Sequence, residues 1–347
     1  MAISSVAFSP KEFRVAVQAQ TALGTALTDG MQELNVDSIT HGTLGGVNNY
    51  ELKSGGGRIL QDEHYFHQNS DFISEITISG IYSTEFAMLI ENITGATSEA
   101  FTVASNYEPS ANIKTGATLT AGNSELLTLA VLPPKAGATT PSSTDGIVYK
   151  DCVVTAFSWN GDMGTNGGLV TFSATLKTYS PVALEQDADS FTIAAYELSA
   201  AQTITMSDWQ TPANRVICGQ ADVMPTSFTM NLENDAVFLG RGASGVCEVI
   251  GRGAEFSATA DISVKYDDES ADLLNLFQSA TSAASTGNTI MSNASTPATG
   301  ASWGFQFPQS VFTSVALSEG DIMGIDVSVK MVGYGNGTST TCLTIAD

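Results

Sequence analysis

Two stretches of this 347-residue chain follow one pattern at a spacing of 262 − 76 = 186 residues. Residues 76–90 read ITISGIYSTEFAMLI, and residues 262–276 read ISVKYDDESADLLNL. Each stretch passes from an alternating strand, through a polar turn, into a short amphipathic helix. A repeat of this length indicates a duplicated domain rather than a short solenoid unit. The repeat therefore restricts the fold more than any single motif in the chain.

The likeness extends to the flanks of both stretches. A glycine-rich segment precedes each helix, SGGGR at 54–58 and GRGASG at 240–245, and predicts a long hairpin with the glycines at its tip. A second hairpin follows each helix, with its turn at Asn160–Gly161 or at Glu319–Gly320. The turns lie 320 − 161 = 159 residues apart, about 27 fewer than 186. We therefore expect an insertion in the first half, at about 94–145.

The fold class that follows is mainly β with minor α content. We predict two tandem β-sandwich or barrel domains, each with one flanking helix and a long hairpin loop. The first spans 1–185, including the insertion, and the second spans 186–347. The helices are expected at 84–93 and 270–280, with N-caps at Ser83 or Thr84 and at Asp268 or Ser270. Residues 281–299, rich in Ser, Thr and Ala, are interpreted as an exposed flexible loop.

Composition excludes several functional classes. The net charge is −23, from 13 Lys and Arg against 36 Asp and Glu, which argues against gripping nucleic acid through phosphate contacts. Solubility alone could explain the charge, and so could a surface that must let DNA pass without sticking. The N-terminus does not read as a secretory signal, and no apolar run approaches the length of a membrane span. Four scattered cysteines are expected to be reduced.

Motif searches predict no catalytic residue, no cofactor and no metal. Gly240-x-Gly242-x-x-Gly245 matches a dinucleotide fingerprint, but a strand follows it where a helix is required. Gly300-x-Ser302-x-Gly304 lacks the downstream histidine of a nucleophile elbow, because the histidines are His41, His64 and His67. Asp62, Glu63, His64 and His67 have metal-ligand chemistry, yet a polar loop at a subunit contact is the favoured interpretation. We therefore expect a protein that is not an enzyme.

Three segments resemble tandem-domain tail tube proteins of tailed bacteriophages. Residues 18–40, QAQTALGTALTDGMQELNVDSIT, are similar to the opening strand region of many tail tube subunits. Residues 145–178, DGIVYKDCVVTAFSWNGDMGTNGGLVTFSATLKT, are similar to their closing hairpin. The strand-to-helix unit at 72–93 fits their single flanking helix. The second half departs from this pattern, since 191–209 is not an evident copy of the N-terminal segment.

The resemblance implies a major tail tube subunit of the virion, assembled in the host cytoplasm. Three copies would form a pseudo-hexameric ring, and rings would stack into a tube with an acidic lumen through which viral DNA passes without specific binding during ejection. Further partners would be a tape measure protein, a tail terminator and, in some tails, a sheath. No membrane is implied. Contacts between rings or subunits would come from the long loops, with the candidate residues Gly45, Asn49, Tyr50, Gly56, Arg58, His64, Asn234, Gly240, Arg241 and Gly242.

Two other classes stay open at this point. One is a different virion structural protein, such as a capsid decoration or head–tail completion protein. The other is a carbohydrate-binding β-sandwich, which would normally show an export signal and an aromatic binding face. Neither feature is clear in the sequence.

Overall fold

The structure is a computed structural model of the chain. Its described residues are 13–20, 23–26, 30–42, 47–51, 65–69, 73–83, 86–94, 105–107, 126–132, 146–180, 183–185, 206, 215–241, 247–253, 255–279, 286–292, 304–320, 323–332 and 343–346.

These residues are mainly β, as the sequence predicts, with 21 strands and two helices. The first half contains β1 (Arg14–Ala19), β2 (Gln32–Leu34), β3 (Ser38–Thr40), β4 (Val47–Glu51), β5 (Tyr65–Asn69), β6 (Ser74–Ile81), α1 (Ala87–Thr94), β7 (Ser105–Tyr107), β8 (Leu127–Leu132), β9 (Gly146–Asp162), β10 (Thr171–Thr178) and β11 (Ala183–Glu185). The second half contains β12 (Arg215–Ile217), β13 (Gln220–Ala221), β14 (Pro225–Glu233), β15 (Ala236–Arg241), β16 (Cys247–Arg252), β17 (Ser257–Lys265), α2 (Asp268–Ser279), β18 (Thr286–Ser292), β19 (Gly304–Glu319), β20 (Met323–Met331) and β21 (Leu343–Ala346).

Eight antiparallel strands form the main run of the sheet, in the order β3–β6–β10–β9–β14–β17–β20–β19. The remaining strands of the same network extend it at the first half of β9, through β8, β1, β2 and β11, and at the first half of β19, through β18, β12, β13, β21 and β7. Two hairpins stand apart as two-stranded sheets, β4–β5 and β15–β16. These are the long hairpins that the glycine-rich segments predict.

The two halves use the same strand arrangement. In the first half Ile78 pairs with Ala174, which pairs with Phe157. In the second half Val264 pairs with Ile325, which pairs with Leu317. The boundary between 185 and 186 stays a prediction, because 186–200 lie outside the described residues and both the sheet and the largest hydrophobic cluster include residues of both halves.

Strand β9 is long because it belongs to two parts of the sheet network. Its pairing register shifts between Leu127 and Leu129 of β8 and again between Thr175 and Leu176 of β10. Asp151 lies at the first shift with a φ of 55°, a left-handed conformation that aspartate tolerates better than most residues. These irregularities bend the strand, so its first half pairs with β8 and its second half with β10 and β14.

The bend is held by a buried network around the Asp151 carboxylate. Oδ1 accepts hydrogen bonds from Gln20 Nε2 at 2.9 Å and from the Gly24 N–H at 2.7 Å, and Oδ2 accepts one from Ser180 Oγ. The Asp151 N–H in turn donates to Gln20 Oε1 at 2.5 Å. Because these partners satisfy the buried carboxylate, the network fixes three distant segments at one point. The network therefore stabilises the bend in β9.

Two sequence-based expectations need correction. Residues 281–299 are not wholly a flexible loop, because β18 lies within them with Thr289 and Met291 fully buried against β19. The insertion expected at about 94–145 is also not wholly peculiar to the first half, because β8 lies within it and pairs with β9 as β18 pairs with β19. The repeat thus contains one more strand than the sequence pattern indicated. Among the described residues of 94–145, β7 is the other strand.

The second helix begins with a reciprocal cap. The Ser270 N–H donates to Asp267 Oδ1 at 2.9 Å, and the Asp267 N–H donates to Ser270 Oγ at 2.7 Å. This is a capping box in which Asp267 is the N-cap, so the expected caps Asp268 and Ser270 occupy the first turn. Asp268 and Glu269 there also favour the helix dipole.

Candidate functional site

The most extensive surface feature is the polar face of the eight-stranded run. Along each strand, small polar side chains alternate with buried apolar ones, because successive side chains point to opposite faces of a sheet. The polar positions are Thr77, Ser79, Ser158, Asn160, Thr171, Ser173, Thr175, Ser227, Thr229, Asn231, Thr259, Ser263 and Ser328.

The polar side chains form rows that cross both halves without a break. In one row the cross-strand partners are, in order, Ser38, Ser79, Ser173, Ser158, Asn231, Thr259 and Lys330. Hydrogen bonds link neighbours within rows: Thr229 Oγ1 donates to Asn160 Oδ1 at 2.9 Å, and Ser263 Oγ donates to Asp326 Oδ1 at 2.7 Å. Most side chains on this face are therefore small, and many carry a hydroxyl group.

Carboxylates outnumber cations on the described part of this face. The register places five acids there and three lysines: Glu75, Asp162, Glu233, Asp261 and Asp326 against Lys177, Lys265 and Lys330. Lys177 is itself bonded to Asp235 at 2.8 Å. Such a face repels phosphate more than it attracts it.

The opposite face of the sheet is the core. Tyr82, Phe157 and Trp159 pack together, and Phe86 places its ring centroid 3.9 Å from that of Phe172. Helix α1 covers this cluster with Leu89, Ile90 and Ile93, which are fully buried. Burial of aromatic and aliphatic surface on this scale is the main force that holds a sheet of this kind in place.

The β9–β14 pairing joins the two halves edge to edge. Seven residue pairs run from Ser227–Asp162 to Glu233–Ala156. Gly161 lies opposite Phe228 in this junction, and a β-carbon at Gly161 would lie 2.3 Å from Phe228 Cε1. Only glycine leaves room for that ring, so the junction depends on Gly161. The turn predicted at Asn160–Gly161 is wrong in place, because both residues lie within β9 and the chain turns after Asp162.

A cluster at one end of the junction fixes the second half against helix α1. Arg252 donates from Nη1 to the carbonyl oxygens of Val154 at 2.9 Å and Asn234 at 2.5 Å, and from Nη2 to that of Asn92 at 2.7 Å. Asn234 Nδ2 donates to the Ile93 carbonyl at 2.8 Å, and Asn92 Oδ1 accepts from the Val154 N–H at 2.7 Å. We call Asn92, Asn234 and Arg252 the clamp. It satisfies C-terminal carbonyls of α1 that the helix cannot satisfy.

The edge of the second half that corresponds to this junction is open. At Ala156–Asp162, β9 lies between β10 and β14. At 312–319, β19 pairs only with β20 within the described residues. Phe157 is buried, whereas its counterpart Leu317 is 49% exposed. The second half therefore presents an unpaired strand where the first half is paired.

The other end of the run is also open. Strand β3 pairs only with β6 within the described residues, and it occupies the place in the first half that β14 occupies in the second. The chain stays close to β6 after β3 ends, because a β-carbon at Gly42 would lie 2.2 Å from the Glu75 carbonyl oxygen. Within the part of the chain that the structure describes, the run of eight strands thus begins and ends on unpaired edges, which attract further strands.

Next to the β3 edge, His41 Nδ1 and the Tyr149 hydroxyl lie 2.6 Å apart. Burial lowers the pKa of His41, because desolvation disfavours the imidazolium. Burial also raises the pKa of Tyr149 to about 12, with a further contribution from Cys152. The pair is therefore a neutral hydrogen bond near neutral pH.

Cys152 and Cys218 are free and buried. Burial raises the pKa of the Cys152 thiol, with a contribution from Asp151, and raises that of Cys218 against the hydrogen bonds from Ser310 and Thr289. A thiol with a raised pKa is a weak nucleophile at neutral pH. We therefore interpret both cysteines as core side chains.

The predicted contact residues lie in different places. Asn49 and Tyr50 lie in β4, Gly240 and Arg241 lie in β15, and Asn234 is buried in the clamp of its own chain. Gly45, Gly56, Arg58, His64 and Gly242 lie outside the described residues. The structure thus places four of these ten in the two hairpins and one in an intrachain contact.

The other motifs are resolved in part. Gly240-x-Gly242-x-x-Gly245 joins β15 to the antiparallel β16, so it is a hairpin tip and lacks the helix of a dinucleotide site. Ser302 and the segment 62–64 lie outside the described residues. Among the residues that are described, no group of three or more metal-ligand side chains occurs, and no helix is long and apolar enough to cross a membrane.

Comparison with known proteins yields little likeness. No protein-family model matches the chain, and no curated protein matches it. Among solved structures, one similar chain is from the cryo-EM structure of the anti-feeding prophage cap, described as its tube-terminating cap. It is 10% identical, with a TM-score of 0.32, and the match covers 54% of this chain and 95% of that chain.

Proposed function

We propose that this chain is a phage tail structural protein, and more finely a tail tube subunit without enzymatic activity. Copies join edge to edge into rings, and the polar sheet face lines the lumen. The observation that carries this proposal is the β9–β14 junction together with the two open edges that correspond to it. The described residues contain one complete copy of the joint, β9 with β14, and two edges, β19 and β3, that correspond to its two sides.

The internal junction supplies the geometry of the contact between chains. Residues 312–319 of β19 take the role of Ala156–Asp162, and β3 of the next copy takes the role of β14. Such a contact is head-to-tail, and head-to-tail contacts close into rings when the rotation allows it. Pairing would also cover Leu317, which the open edge leaves half exposed.

The number of copies follows from the repeat. Each chain supplies two similar sheet units, so a ring with six units needs three chains. The polar face then lines the lumen, where an excess of carboxylates and many hydroxyls let a DNA duplex pass without holding its phosphates. A tape measure protein, a terminator and, in some tails, a sheath are the further partners of such a tube.

Negative-stain electron microscopy and sedimentation of the purified chain test the proposal. We expect rings or tubes to form as the protein concentration rises. A chain that stays monomeric at every concentration and ionic strength would overturn the proposal. A monomer that binds glycans would instead favour the carbohydrate-binding class.

A matched pair of variants locates the lateral contact. Leu317→Lys places a charge on the open edge, and charged residues on strand edges oppose further pairing. Asn275→Lys adds the same charge at an exposed position on α2. We expect the first variant to remain monomeric and the second to assemble as the parent does. Equal assembly by both would show that β19 is not the joining edge.

A further inference from the structure

Helices α1 and α2 are counterparts in the repeat, yet their C-terminal ends differ. At the end of α1, Ile90 and Asn92 expose 0% and 2% of their surface. Their counterparts, 186 residues later, are Leu276, which is half-buried, and Gln278, which is exposed. Phe277 between these two is 37% exposed. Within the described residues, the chain therefore covers the end of α1 but not the end of α2.

The end of α1 is closed by donors from two places. Thr94 Oγ1 donates to the carbonyls of Ile90 at 2.7 Å and of Glu91 at 3.3 Å. The next two carbonyls, of Asn92 and Ile93, accept hydrogen bonds from the clamp residues of the second half. A helix cannot satisfy its last carbonyls from within. The first half therefore needs the second half to complete its helix.

Helix α2 has no equivalent closure among the described residues. Its last turn contains no basic side chain, and no described side chain donates a hydrogen bond to the carbonyl of Phe277 or of Gln278. The C-terminal end of a helix carries a negative partial charge and exposes acceptors. The Phe277 ring packs edge-to-face on Phe312, with ring centroids 6.1 Å apart. Acceptors and a partly exposed aromatic ring thus lie together at this end.

This end of α2 adjoins the open edge of the second half. Phe312, Val315 and Leu317 lie on the core face of β19, because their cross-strand partners in β20 are buried valines and an isoleucine. Phe277 contacts the first of these residues, and Leu317 near the other end of the strand is 49% exposed. The exposed apolar surface therefore extends from the end of α2 to the strand edge that joins chains in the proposed ring.

We propose that the first half of a second copy of this chain closes the end of α2, as the second half closes the end of α1. The inference rests on the proposed function and adds a helix cap between chains to the pairing of strands. Within one chain, the donor Asn234 directly follows β14. Strand β3 holds the place of β14 in the first half, so a copy that brings β3 to β19 also brings the residues after β3 to the end of α2. That copy supplies donors for the carbonyls and covers Phe277.

Hydrogen exchange in the parent chain tests the cap, with α1 as the control within the same molecule. The amides of Phe277 and Gln278 should exchange about tenfold more slowly in rings than in dissociated chains, because a closed helix end frays less. The amides of Asn92 and Ile93 should exchange at the same rate in both states, since α1 is closed within the chain. Unchanged exchange at the end of α2 in assembled rings would overturn the inference.

A matched pair of variants tests the apolar part of the contact. Phe277→Lys removes the exposed ring, and Asn275→Lys adds the same charge at an exposed position one turn away from the joint. A lysine near a helix C-terminus favours the helix, so weaker assembly by Phe277→Lys would not come from loss of α2. We expect Phe277→Lys to need an about tenfold higher concentration for half-assembly in sedimentation, and Asn275→Lys to match the parent.

The outcomes separate this inference from the proposed function. Equal assembly by Phe277→Lys and Asn275→Lys would overturn the inference. Parent rings in which the exchange of α2 is unchanged would also overturn it and would leave the strand pairing standing. Parent chains that never form rings would overturn both. The exchange measurement needs no variant, so it decides the matter even where Phe277→Lys fails to fold.

Discussion

The guanidinium of Arg252 donates a 2.7 Å hydrogen bond to the carbonyl of Asn92, a residue 160 positions earlier in the chain. The same side chain contacts Val154 and Asn234. One cation thus joins the end of α1, the middle of β9 and the start of the β15 hairpin. The chain has 13 Lys and Arg, and Arg252 donates to three carbonyls. We therefore expect its replacement to lower the stability of the β9–β14 junction.

Arg252→Met is expected to lower the free energy of unfolding by about 2–3 kcal/mol, since it leaves partly buried carbonyls without donors. Arg14→Met is the control, because the Arg14 side chain is 44% exposed and its guanidinium contacts Glu33 at 3.3 Å. An exposed ion pair of this kind contributes about 0–1 kcal/mol. Urea unfolding of both variants measures the difference, and equal losses would contradict the role assigned to Arg252.

Gly161→Ala should destabilise the β9–β14 junction by about 1–3 kcal/mol, because the added methyl overlaps the buried Phe228 ring. Gly251→Ala serves as the control, since a β-carbon at Gly251 meets no atom within 4 Å. That change should stay within about 0.5 kcal/mol. Thermal unfolding of the two variants decides the matter, and a neutral Gly161→Ala would mean that Phe228 can move aside.

The lowered pKa of His41 makes stability depend on pH. In the unfolded chain the imidazole binds a proton near its ordinary pKa of 6.5, whereas the folded chain binds it only at lower pH. The unfolded state therefore gains protons first on acidification, and stability falls as pH drops below about 6.5. His41→Asn should show a shallower fall between pH 7 and 5.5 in denaturant titrations. Identical slopes for parent and variant would refute this origin.

Lys177 and Asp235 form an ion pair of 2.8 Å between β10 and the turn that follows β14. The hydrogen bond from Lys177 lowers the pKa of Asp235, so the stabilisation is present above the ordinary pKa of 3.8 and is lost as pH falls through the lowered value. Asp235 is 55% exposed, so a double-mutant cycle with Lys177→Met and Asp235→Asn should give about 0.2–1 kcal/mol at pH 6. A coupling that persists undiminished in 1 M salt would contradict a solvent-screened pair.

The strands with regular alternation could be predicted from the sequence, and the contacts between distant segments could not. Residues 171–178 alternate strictly, because β10 has one polar and one buried face. Strand β18 lacks such alternation, and its burial depends on β19 and β12 pairing with it. Propensity is weak evidence where neighbouring strands decide.

The sequence could predict that a polar sheet face exists, but it could not predict which residues of the two halves lie next to each other on it. Alternation predicts that some sheet face is polar, yet only the register shows that Ser158 and Asn231 lie side by side across the junction. The clamp was missed for the same reason, since Asn92 carries no signal except its position near a helix end. The one hint in the sequence is Arg252 itself, an arginine at the end of a strand in a chain with few cations.

The β9–β14 junction has a kinetic consequence. A ring of six sheet units has six joints, and in three chains three of those joints form during folding, without any encounter between molecules. Three joints remain between chains in the proposed ring. Two of them form when separate chains associate, and the third closes the ring within the assembly, so less translational and rotational entropy is lost than with six separate subunits. Nucleation of such a ring would therefore depend on the third power of chain concentration, where six separate subunits would give the sixth.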